Sequence, residues 1–67
     1  MILIELNGQA REIEDDATIR QLLEQVGVSG RFCAVELNLE IVPKDEYDSK
    51  RLALGDKLEV VTLVGGG

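Results

Sequence analysis

Few groups in this chain can do chemistry, and the one best placed is the terminal carboxylate behind Gly65, Gly66 and Gly67. With Gly near 7% of average composition, three in succession at one terminus arise by chance roughly once in several thousand cases. Lacking Cβ, such a run accepts any backbone dihedral and passes where side chains would collide, so it suits a carboxyl group threaded into another protein's narrow channel. Fully extended, three residues reach about 10 Å. A frayed end is the alternative, but fraying does not explain glycines placed at the very last positions. The other candidates are weaker. Glu12, Glu14, Asp15 and Asp16 form one acidic cluster and Asp45, Glu46 and Asp48 another. Both fall in turn-like segments, where solvation leaves nothing to tune a carboxyl for acid–base work, and a solvated acidic face is the better reading. Cys33 alternates in phase with Val35 and Leu37, which makes it a small core hydrophobe rather than a reactive thiol.

The composition removes further chemistries. There is no His and only one Cys, so the commonest general base is missing and neither a zinc site nor an iron–sulfur cluster can be assembled. No catalytic residue, metal or resident cofactor is expected. Seven basic against thirteen acidic residues give a net charge of -6, which disfavours nucleic acid and anionic membranes and favours a basic partner patch. The unpaired Cys and the absence of a long apolar stretch point to the cytoplasm. At 67 residues and 45% hydrophobic content, the chain is expected to form one small folded domain over 1–64 with a flexible tail, 65–67.

Positioning a terminal carboxyl requires a scaffold, and its elements are legible. Ile2, Ile4 and Leu6 alternate before Asn7-Gly8, the strongest short hairpin signal, which pairs the first strand with a second one anchored by Ile13. Thr18 with Gln21 has capping-box spacing, Ala17 and Leu22 can form the accompanying staple, and Ile19, Leu22, Leu23 and Val26 follow helical periodicity as far as Gly27. A third strand spans 32–38, and a brief fourth, Ile41-Val42, is closed by Pro43. Tyr47 is expected to pack over the core, with Leu52 and Leu54 as plugs beneath the loop. The fifth strand occupies 57–64. A single helix over a single mixed sheet is an α+β domain, with the apolar first and last strands side by side and parallel in the centre. If Leu58 and Val60 face the core, Val61 and Leu63 face away, onto a side that one helix cannot cover, where they are candidates for a partner-docking surface.

These features together resemble the ThiS family, the sulfur carriers of thiamin biosynthesis, over essentially the whole length. The matching residues are Leu6-Asn7-Gly8, Thr18-Ile19 with Leu22-Leu23, Val35-Glu36-Leu37-Asn38, Glu40-Ile41-Val42-Pro43, Leu54-Gly55-Asp56 and the glycine end. Leu39 departs from the pattern, because relatives often carry a small or polar turn residue there. The resemblance implies a ubiquitin-like β-grasp fold and a protein that is a co-substrate rather than an enzyme. It implies that the carboxyl of Gly67 is adenylated by an E1-like (ThiF-like) enzyme using ATP. Conversion to a thiocarboxylate, drawing on a sulfur-donating protein, then supplies a ThiG-like thiazole synthase. The small subunit of molybdopterin synthase, with the same terminal chemistry, is a near alternative, and a ubiquitin-like modifier or interaction module is a more distant one.

Overall fold

The computed structural model describes residues 1–62. In it the strands β1 (Ile2–Leu6), β2 (Gln9–Ile13), β3 (Cys33–Leu37), β4 (Glu40–Ile41) and β5 (Lys57–Thr62) form one sheet in the order β2-β1-β5-β3-β4. β1 and β5 are parallel neighbours in the middle, and every other pairing is antiparallel. Among the described residues one α-helix, α1 (Ile19–Gln25), accompanies this sheet. The expected α+β, β-grasp arrangement is therefore present, with β1 and β5 side by side and parallel within the sheet.

Local chemistry explains the turns. Asn7 and Gly8 both have positive φ, 50° and 83°, as a two-residue type I′ hairpin demands. The second hairpin repeats this geometry at Asn38 and Leu39, with φ of 52° and 73°. Leu39 adopts it without the small side chain that would make it easy, and that side chain is 91% exposed.

At seven residues, α1 is too short to be stable by propensity alone, so its ends and its buried face must hold it. Thr18 caps it: its Oγ1 accepts from the Gln21 N–H while Gln21 Oε1 accepts from the Thr18 N–H. The two remaining free donors of the first turn come from Ile19 and Arg20, and they reach the carbonyls of Lys50 and Tyr47. The loop after β4 thus completes the helix start. At the other end Gly27, at φ 77°, donates to Glu24 while Val28 donates to Leu23, the two bonds of a Schellman cap.

The core lies between helix and sheet. Ile19, Leu22 and Leu23 from α1 meet Ile4, Ile13, Cys33, Val35, Leu37 and Leu58 from the sheet, and Val42, Tyr47 and Leu52 from the loop side complete the cluster. Each fully buried aliphatic side chain there contributes about 1.5–3 kcal/mol of transfer free energy. Leu54 corrects an expectation: it is 74% exposed, not a plug beneath the loop. The reason is the tight turn around it, where Asp56 accepts from the Ala53 N–H through Oδ2 and Gly55 donates to Leu3. This fixes Leu54 at an outward corner while Leu52 takes the inward place.

Candidate functional site

Alternation along the strands sends half of the side chains to the face opposite α1, where no second layer lies among the described residues. Across that face the register places Leu3 opposite Glu12, Glu5 opposite both Ala10 and Lys57, Glu36 opposite both Glu59 and Ile41, and Ala34 opposite Val61. Val61, 58% exposed, points outward as the strand pattern predicts, and Leu3 and Ile41 are also exposed. Leu63, the second candidate for docking, lies outside the described residues, as do Gly65, Gly66 and Gly67.

The electrostatics of this face are one-sided. Among the described residues of the strands, Glu5, Glu12, Glu36 and Glu59 are balanced on this face only by Lys57. Glu36 and Glu59 oppose each other directly across β3 and β5, and like charges in that position destabilise a sheet. The ion pairs found among the described residues, Met1 with Asp15 and Arg20 with Asp48, lie elsewhere. Sequence alternation could place each Glu outward, but only the register sets one against the other.

The remaining sequence candidates take structural roles. Cys33 is fully buried, beside Tyr47, whose phenol is pushed above its ordinary pKa first by burial and then by the neighbouring thiol. Glu14, Asp15 and Asp16 stay exposed, as do Asp45, Glu46 and Asp48. No three His, Cys, Asp or Glu side chains converge into a metal cage among the described residues, and no helix among them is long and apolar enough to cross a membrane. What the described domain offers is a surface and a strand that leads from the sheet centre toward the C-terminus.

Comparison with known proteins agrees with this picture. The model of the ThiS family matches residues 4–67. The sulfur carrier protein ThiS of Thermus thermophilus is 38% identical over 65 residues, covering 97% of this chain and 100% of that protein. A thiazole synthase of Paramagnetospirillum magneticum is 47% identical over 62 residues, covering 92% of this chain but only 19% of its own length. The crystal structure of the thiamine biosynthesis protein ThiS from Geobacter metallireducens superposes with a TM-score of 0.84 at 25% identity, covering 98% of this chain and 100% of that one. A family match through nearly every residue, joined to the same mixed sheet and single helix, establishes that this chain belongs to the ThiS family.

Proposed function

We propose that this ThiS-family sulfur carrier of thiamin biosynthesis works as a co-substrate whose reacting group is the terminal carboxyl of Gly67, carried on a thin flexible arm of Gly65 and Gly66. A free carboxylate is a poor electrophile. It must first be activated with ATP by an adenylating enzyme of the E1 (ThiF-like) type, which releases pyrophosphate and leaves an acyl-adenylate. Sulfide-level sulfur (HS−) released by a sulfur-donating protein then displaces AMP to give the thiocarboxylate, which delivers sulfur to a ThiG-like thiazole synthase. All activating machinery sits on partners, which accounts for a domain so poor in catalytic groups. Chemistry that consumes ATP and needs no disulfide fits the cytoplasm.

Docking falls to the bare sheet face, with Val61 and Leu63 as apolar contacts and the Glu36–Glu59 pair seeking a basic group on the partner. The observation that carries the reading is the segment of about this chain's length inside a thiazole synthase polypeptide, an arrangement that fits a carrier acting beside that enzyme. The test is mass spectrometry of the purified chain after incubation with an adenylating enzyme, ATP and a sulfur source. A thioacid at Gly67 is the expected product. A Lys-linked conjugate would replace this reading with that of a protein modifier, and an unaltered terminus would overturn it.

A further inference from the structure

The parallel junction between β1 and β5 is short: Glu5 pairs with Lys57 and Leu6 with Leu58, whereas β3 follows β5 over five pairs, from Cys33–Thr62 to Leu37–Leu58. At Asn7 the backbone swings away into the hairpin turn, so β1 has no main chain to offer Val60. The Asn7 side chain takes over. Its Nδ2 donates to the Val60 carbonyl at 3.2 Å and its Oδ1 accepts from the Val60 N–H at 2.8 Å, while its own N–H donates to the Leu58 carbonyl at 2.9 Å. The side-chain amide is therefore a one-residue extension of the ladder. The opposite neighbour cannot substitute for it, because the Val35 carbonyl is turned toward Val42.

From these contacts we infer that Asn7 is a positioning residue for the carboxyl-terminal thread: it fixes the line along which β5 leaves the domain. Val60 precedes Thr62, the last described residue, and the three closing glycines follow within the same chain. Among the described residues, Asn7 is the only hold on this outgoing segment from the β1 side. The start of β5 is held by a second turn asparagine: Asn38 Oδ1 accepts from the Lys57 N–H, its own N–H donates to the Lys57 carbonyl, and its Nδ2 donates to the Asp56 carboxylate. Two turn asparagines thus hold one strand, Asn38 at its first residue and Asn7 at Val60. With the clamp in place the partner meets a β5 that is already ordered as far as Thr62; without it that ordering cost falls on binding. This inference rests on the carrier reading, and it assigns the hairpin turn a part in substrate presentation.

Asn7→Gly isolates the clamp, because Gly accepts the φ of 50° at this turn and so removes the amide without straining the hairpin. Two measurements on the full chain decide the matter. Amide hydrogen exchange, with no enzyme present, is expected to accelerate at Val60 in the variant while Val35 and Leu58 keep their protection. Steady-state adenylation is expected to show KM raised roughly tenfold, the loss of one to two net hydrogen bonds, with kcat changed less than about twofold. Unchanged exchange at Val60 would show that the clamp does not hold the strand. Accelerated exchange with an unchanged KM would show that holding the strand has no bearing on presentation, and either result overturns the inference. Failure of the unmutated chain to be adenylated is a separate outcome: it removes the carrier reading, and the positioning role falls with it.

Discussion

The two faces of this sheet are made from the same strands and obey opposite rules. On the covered face Ile4, Val35, Leu37 and Leu58 pack against Ile19, Leu22 and Leu23 with almost no exposed surface. On the bare face, Val61, Leu3 and Ile41 stay open, and Glu36 is set against Glu59. The first arrangement lowers the free energy of the isolated domain, while the second raises it slightly. A chain this small buries only about 60% of the surface it exposes unfolded. Exposed apolar residues also occur at turns, as Leu39 and Leu54 do, but Leu3, Ile41 and Val61 share a face with the Glu36–Glu59 pair, which supports the proposal that a partner docks there.

The contrast can be broken most forcefully from the covered side. Leu23→Ala leaves a cavity under α1 and is expected to cost about 2–5 kcal/mol, measured by urea denaturation with an unchanged slope. A smaller loss would mean that helix and sheet are loosely packed. The matching change on the bare side, Val61→Asp, should shift stability by under about 1 kcal/mol, yet weaken binding to the adenylating enzyme by roughly tenfold, the scale of a moderate interface residue. Titration calorimetry reads the affinity, and full affinity in this variant would detach Val61 from docking.

Glu36→Lys sharpens the comparison by pulling stability and binding in opposite directions. Replacing a repulsive pair with an attractive one should raise stability by about 0.2–1 kcal/mol while slowing association with a basic partner, most visibly at low salt. A variant that is both more stable and bound as quickly as before would reduce the Glu36–Glu59 pair to a defect without use. The smallest effect concerns pH. The Tyr47 phenol is raised above its ordinary value of 10.0. The unfolded chain therefore ionises first, and the stability present below about pH 10 is lost as pH climbs toward the folded value. Tyr47→Phe should flatten that alkaline limb in melting temperatures measured from pH 9 to 11, and a limb that persists would assign it to other groups.

Much of the covered face was readable in the sequence because its determinants are local. The type I′ turn at Asn7-Gly8, the Thr18–Gln21 capping box, the helical spacing from Ile19 to Leu23 and the alternation of Cys33, Val35 and Leu37 each span a few residues. Each also favours one local conformation over the others. The outward phase of Val61 followed from the same alternation. Leu54 was misplaced because its apolar character suggests burial, whereas the turn chemistry of Gly55 and Asp56 decides its position. The bond from Asn7 to Val60, across 53 residues, had no local signal at all.

By itself, then, the sequence determined which residues turn, which form the helix, which faces are apolar, and that Gly65, Gly66 and Gly67 carry no side chains. The tertiary structure alone decided that Glu36 confronts Glu59, that the carbonyls of Tyr47 and Lys50 complete the helix start, and that a turn asparagine grips the outgoing strand. The physical reason is range. Dihedral preference and side-chain period act between neighbours along the chain, whereas register and side-chain-to-backbone bonds between distant segments exist only once packing of the whole core has selected a single alignment of the strands.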